Sequence, residues 1–135
     1  MINSAEEFIH LINSSIEADK SRAIIEEAGD SVWLDVISEY PDYEIFILQN
    51  LTIKPNLIKF LSNSKNWRIR HGIAKKRKSG TEILIHLSND EHPIVRQAIA
   101  SNQKTPYATL QNLCLDADDR VSRVANYNIK LRPPQ

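Results

Sequence analysis

The residues that most often perform catalysis are few in this sequence, and their spacing does not suit it. The chain contains one cysteine, Cys114, and four histidines, His10, His71, His86 and His92. None of these residues shows the spacing of a metal site or the context of a reactive nucleophile. The sequence also contains no glycine-rich phosphate loop and no nucleophile elbow. We therefore expect a protein that is not an enzyme, with no metal and no cofactor.

One candidate binding surface lies between residues 33 and 46, where aromatic and acidic side chains alternate. Aromatic side chains supply large contact areas, and carboxylates around them steer a basic partner into register. The candidate protein-binding residues are Trp33, Asp35, Glu39, Tyr40, Asp42, Tyr43 and Glu44. The alternative interpretation is structural, with Trp33 and one tyrosine in the core and the acids simply solvated.

A second candidate surface is the basic segment between residues 67 and 78. Its cations suit contacts to phosphates, and its tryptophan offers a plane on which a base can stack. The candidate phosphate-binding residues are Trp67, Arg68, Arg70, Lys75, Lys76, Arg77 and Lys78. The alternative is a solvated loop, whose cations suit the negative end of a helix dipole, beside a core tryptophan.

Charge is distributed unevenly along the chain, although its net value is zero. Residues 1–50 contain two basic and eleven acidic side chains, a net charge of −9, whereas residues 51–135 contain fifteen basic and six acidic ones, a net charge of +9. Such asymmetry indicates charged partners. Because the two halves balance, self-neutralisation is an equally good interpretation.

Apolar residues return every 26 positions, which indicates a helical repeat. Ile69, Val95 and Val121 share one position, and the spacing within each unit predicts two short helices. Asn102 is expected to end a first helix in left-handed geometry, and Thr105-Pro106 to cap the following helix.

Two arginines also share one position of this repeat. Arg70 and Arg96 are 26 residues apart. In the α-solenoids that this sequence resembles, such an arginine often bridges to acids in the turns between repeats. The acids available here are Asp90, Glu91, Asp116, Asp118 and Asp119. We therefore favour a structural role for both arginines over ligand binding.

The pattern Val95-Arg96-x-x-Ile99-Ala100-x-Asn102-x-x-Thr105-Pro106-x-x-x-Leu110-x-x-Leu113 resembles the HEAT-like and leucine-rich repeat variant class of α-solenoids, over about residues 40 to 130. The resemblance implies an all-α fold, a short α-solenoid of about five stacked helical pairs. Residues 1–135 then form a single domain, with residues 1–40 as an N-terminal capping region and residues 41–130 as repeats of about 26 residues. The iron–sulfur segment of the original leucine-rich repeat variant protein does not carry over, because this chain has one cysteine.

Stacked helical pairs leave an extended surface, so we expect a protein-binding module. A small repeat protein with an acidic surface also resembles the immunity proteins with which bacteria neutralise toxins, nuclease toxins among them, by stoichiometric binding. The alternative is a nucleic-acid-binding module that uses residues Arg68 to Lys78. The sequence shows no signal peptide and no apolar run long enough to span a membrane, so we expect a cytoplasmic protein that binds no membrane. We also expect the free protein to be monomeric.

Overall fold

The computed structural model describes residues 1–133, and this part of the chain is all-helical, as the sequence predicts. It contains ten α-helices and two short 3-10 helices, and its only extended pairing is an isolated bridge between Ile2 and Ala28. The chain forms two compact units, residues 1–57 (unit 1) and residues 58–135 (unit 2). No helix within residues 1–133 is both long enough and apolar enough to cross a bilayer.

Unit 1 is built from short helices that bury one face each. Their bounds are α1 (Ala5–Asn13), α2 (Glu17–Ile25), α3 (Asp30–Glu39), a 3-10 helix (Pro41–Tyr43) and α4 (Glu44–Ile47), and α5 (Pro55–Leu61) begins in this unit. The start of α1 follows its capping sequence: the Ser4 hydroxyl accepts the Glu7 N–H at 3.0 Å. The Glu7 carboxylate in turn accepts the Asn3 N–H at 2.8 Å, so two backbone donors at this helix end are satisfied.

A buried amide and an ion cluster fix the end of α2. The Asn50 amide donates to the carbonyl oxygens of Ala23 and Glu26 at 2.8 and 2.9 Å. The Glu26 carboxylate accepts a 2.6 Å hydrogen bond from Arg22 and lies 3.0 Å from the amino group of Met1. The Arg22 hydrogen bond, together with the amino group, lowers the pKa of Glu26 to about 2. Both contacts therefore stabilise the ionised form of this carboxyl group.

In unit 2, alternate helices lie side by side. Helix α6 (Trp67–Ala74), α8 (Pro93–Ser101) and α10 (Asp119–Lys130) pack in sequence, with α7 (Thr81–Leu87) and α9 (Tyr107–Leu113) between them in the chain. Ile69, Val95 and Val121, which the 26-residue step aligns, are all fully buried. The apolar face of each of these three helices therefore lies where the sequence periodicity places it.

The same helix cap occurs three times in unit 2, at intervals of 26 residues. The side chains of Asn66, His92 and Asp118 each accept the backbone N–H two residues further along, at the starts of α6, α8 and α10. Their distances are 3.0, 3.1 and 2.8 Å. Three different side chains thus cap equivalent helices, because each carries an acceptor atom that can reach the backbone N–H two residues later.

The predicted arginine bridges are confirmed. Arg70 Nε lies 2.7 Å from Asp90 Oδ2, and Arg96 Nε lies 2.8 Å from Asp116 Oδ2. In both bridges the second guanidinium nitrogen reaches the other carboxylate oxygen at 3.2 Å, so the pairing is bidentate. Each Nη1 also donates at 2.7 Å to a backbone carbonyl, that of Ser64 or of Asp90. Although burial opposes it, the hydrogen bond from Arg96 helps to lower the pKa of Asp116.

Of two local predictions around α8, one is confirmed in part and the other is wrong. Asn102 ends α8, as predicted, but its backbone is extended, with φ −77° and ψ 120°, rather than left-handed. Its buried side-chain amide donates to the carbonyls of Ala74 and Lys76. Thr105 does not cap α9; its hydroxyl donates to the carbonyl of Ile99 at 2.7 Å. In both cases the side chain donates to carbonyl groups at or just beyond the end of a preceding helix.

Candidate functional site

In residues 33–46 of unit 1, three carboxylates lie at the surface and the tryptophan is buried. Trp33 is only 2% exposed and packs edge-to-face on Phe8, with ring centroids 5.0 Å apart. Asp35, Glu39 and Asp42 are exposed. Trp33 is therefore a core residue, which leaves the predicted surface without its largest aromatic contact.

The two tyrosines of this segment are half-buried and tied to helix α1. The Tyr40 hydroxyl donates to Glu6 Oε1 at 3.3 Å, and the Tyr43 hydroxyl accepts from the Asn13 amide at 2.8 Å. The negative charge of Glu6 raises the pKa of Tyr40, with burial contributing. Glu44 is half-buried at the start of α4. Of the seven residues predicted for this surface, only the three exposed carboxylates are fully presented to a partner.

In the basic segment of unit 2, neighbouring side chains cover Trp67. The His92 ring stacks on it with a centroid distance of 4.0 Å and an interplanar angle of 13°. The Arg68 guanidinium lies 4.8 Å from the centroid of the indole ring. His92 is itself held in place as the cap of α8. Trp67 is thus a half-buried packing residue, and the His92 ring already occupies one face of its indole.

The remaining predicted cations separate into structural and surface residues. The Arg70 side chain is only 11% exposed and is paired with Asp90, so it is not available to bind a phosphate. Lys76 is half-buried, and burial together with the charge of Lys78 lowers its pKa. Lys75, Arg77 and Lys78 are exposed.

These exposed cations lie where two equivalent turns meet. The turn after α6 and the turn after α8 are joined by a 2.7 Å hydrogen bond from Arg77 to Gln103 and by the Asn102 amide, which donates to the Lys76 carbonyl. Lys104, exposed in the second turn, is 26 residues after Lys78. Neither turn, residues 75–80 or residues 101–106, contains an acid.

We name the exposed cations of these turns the basic edge: Lys75, Arg77, Lys78 and Lys104. Lys104 was not among the predicted site residues, because an isolated lysine carries no signal of its own. The 26-residue step from Lys78 could have found it.

A cavity of about 250 Å³ lies beside the basic edge, between α6 and α8. Its walls include His71 and Lys75 of α6 and Ile94, Gln97, Ala98 and Ser101 of α8. Burial, with the charges of Lys75 and His92, lowers the pKa of His71. Lys75 belongs both to this cavity and to the basic edge.

Within residues 1–133, no group of three or more histidine, cysteine, aspartate or glutamate side chains is placed to hold a metal ion. Comparison of the chain with known protein families, curated proteins and solved structures finds no match. A function for the chain therefore has to be inferred from its own contacts and charges.

Proposed function

We propose that the chain is a non-enzymatic binding protein of the short α-solenoid type, whose basic edge binds the phosphate backbone of nucleic acid. The solenoid is supported by the recurrence of caps and arginine bridges at 26-residue intervals in unit 2. Repeats of this kind align equivalent side chains along one surface. Lys78 and Lys104 are such a pair, each followed by a hydroxyl residue that donates to a carbonyl six residues before it.

The observation that carries the proposal is how the acids of unit 2 are paired. Unit 2 has fourteen basic and six acidic side chains, a net charge of +8. Every one of the six acids already forms an ion pair with a base outside the basic edge; the acids are Glu82, Asp90, Glu91, Asp116, Asp118 and Asp119. Within residues 1–133, none of these ion pairs involves Lys75, Arg77 or Lys104. The phosphates of a nucleic acid would neutralise these three charges and release bound counterions as they do so.

The test is the salt dependence of binding to a labelled 20-nucleotide DNA, measured by fluorescence anisotropy between 25 and 200 mM NaCl. We expect log Kd to rise linearly with log salt for the wild-type chain. The triple variant Arg77→Gln, Lys78→Gln, Lys104→Gln should bind at least tenfold more weakly at 100 mM NaCl. With a single-stranded probe its salt slope should fall by about 2, since each lost phosphate contact removes about 0.7.

A matched variant separates this surface from net charge alone. Lys59→Gln, Lys65→Gln, Arg123→Gln removes the same three charges from exposed positions elsewhere in unit 2. It should retain nearly wild-type affinity and slope. Equal losses in both triple variants, or no DNA binding at 25 mM NaCl, would contradict the proposal.

A second candidate function is a protein inhibitor of the immunity type, which would act through unit 1. Unit 1 has eleven acidic and three basic side chains, a net charge of −8. None of the ion pairs found within residues 1–133 includes Asp35, Glu39 or Asp42. Such carboxylates suit a cationic partner, for example the substrate cleft of a nuclease toxin. The burial of Trp33 makes this candidate second, since the surface lacks its expected aromatic anchor.

This second function predicts a tight complex with a toxin encoded beside the chain. The purified product of the adjacent reading frame should bind in a one-to-one complex by calorimetry. The variant Glu39→Lys, Asp42→Lys should weaken that complex about a hundredfold, because like charges across an interface cost several kcal/mol. The control Glu17→Lys, Glu27→Lys makes the same change of charge at other exposed positions of unit 1. Unchanged affinity in Glu39→Lys, Asp42→Lys would rule out this surface.

A further inference from the structure

We propose that the cavity between α6 and α8 receives one unpaired nucleobase, so that the chain prefers single-stranded nucleic acid to duplex. This inference rests on the proposed binding of a phosphate backbone by the basic edge. Lys75 connects the two sites, because it is an exposed cation of that edge and also lines the cavity. A phosphate held at Lys75 would place its attached nucleoside at the mouth of the cavity.

The cavity exists because small residues occupy two positions of α8. Ala98 and Ser101 line it, whereas the residues 26 positions later on α10 are Val124 and Tyr127. Both of these α8 residues are therefore smaller than their equivalents on α10. Their small side chains leave space beside the most cationic turn of the chain.

The size and lining of the cavity favour a flat group with apolar faces and a polar edge. Its volume of about 250 Å³ lies below the 300–1,000 Å³ typical of pockets for drug-sized ligands, which suits a single ring system. Ile94 and Ala98 supply apolar contacts. Gln97 carries an amide with both donor and acceptor atoms, the combination that reads the edge of a base.

His71 contributes an uncharged ring to the lining of the cavity. Burial, with the charges of Lys75 and His92, lowers the pKa of His71, which leaves its imidazole neutral at pH 7. A neutral imidazole is one of the rings on which unpaired bases stack in protein–RNA complexes. In a duplex, the faces of the bases are covered by their neighbours, and only their edges are accessible in the grooves. The cavity is therefore accessible to a base of a single strand and closed to a paired one.

The test compares single-stranded DNA, single-stranded RNA and duplex DNA of one 12-nucleotide sequence, by anisotropy at the same salt concentration. We expect the wild-type chain to bind at least one of the single strands about tenfold more tightly than the duplex, since one stacked base adds a favourable contact that the duplex lacks. The substitution Ser101→Leu fills the cavity at an exposed helical position and should abolish the preference, with duplex affinity and salt slope unchanged. Gln97→Ala should reduce the preference in the same direction.

The control Ala108→Leu adds a leucine at an exposed position of α9, away from the cavity, and should leave the preference intact. Circular dichroism checks that each variant is folded. Equal affinity for single strand and duplex in the wild type, or no effect of Ser101→Leu, would overturn the nucleobase site and leave the basic edge standing. Absence of binding to all three probes would overturn both proposals.

Discussion

Replacement of Arg70 by methionine is expected to destabilise the protein by about 3–5 kcal/mol, because it leaves a buried carboxylate without its counter-charge. The side chain of Asp90 is only 6% exposed, and Arg70 holds it in a bidentate bridge. The substitution also removes the donor to the Ser64 carbonyl. The loss should appear in urea unfolding followed by circular dichroism, as a lower midpoint with a similar slope.

The matched control for Arg70→Met is Arg120→Met. Arg120 also forms an ion pair with an aspartate, Asp118, at 2.9 Å, but its side chain is 58% exposed. An ion pair whose arginine is exposed contributes little to stability, because water screens the interaction. A similar shift of the unfolding midpoint in both variants would show that burial of the Arg70 bridge is not what stabilises unit 2.

Replacement of Asn102 by aspartate is expected to cost about 3 kcal/mol or more at pH 7, since each buried group left unsatisfied costs about 1–3 kcal/mol. The amide donates to the carbonyls of Ala74 and Lys76, and a carboxylate can make neither bond. The acceptor side of the new residue still receives the Lys104 N–H, so the change replaces the amide donors by an ionisable oxygen and leaves that hydrogen bond in place. Unfolding measured by urea titration should show the loss.

The pH dependence of Asn102→Asp gives an independent check. Burial beside two carbonyl oxygens should raise the pKa of the new carboxyl group above that of an exposed aspartate. The destabilisation should therefore be largest above the folded-state pKa and should shrink as the pH falls and the carboxyl group becomes protonated. The control Asn112→Asp, at an exposed position on α9, should lack this dependence. A pH-independent loss would mean that the amide donors are not the cause.

The parts of the fold that recur in the sequence could be predicted from it. Ile69, Val95 and Val121 are buried because a helix that repeats its apolar spacing also repeats its buried face. The bridges of Arg70 and Arg96 follow in the same way, since two arginines in one register meet aspartates in one register. Because the arginine and the aspartate recur in the same repeat, the sequence predicts these bridges although each joins residues that are 20 positions apart.

Other features depend on partners that no local pattern reveals. Whether Trp33 is exposed depends on Phe8 of another helix, which packs against its ring. Asn102 ends α8, as its local pattern predicts, but the contacts of its amide depend on carbonyls 26 and 28 residues earlier in the chain. The basic edge likewise needs the contact between Arg77 and Gln103, which brings Lys104 to the turn that contains Lys78.

Asp90 takes part in two successive arginine bridges. Its carboxylate accepts from Arg70, while its backbone carbonyl accepts from Arg96, which in turn holds Asp116. If one helical pair detached, an arginine or aspartate of the adjoining pair would lose its ion-pair partner. Local opening of a single pair therefore costs free energy. We expect this region to melt cooperatively rather than fray one helix at a time, so that a ligand meets a surface whose shape is already set before it arrives.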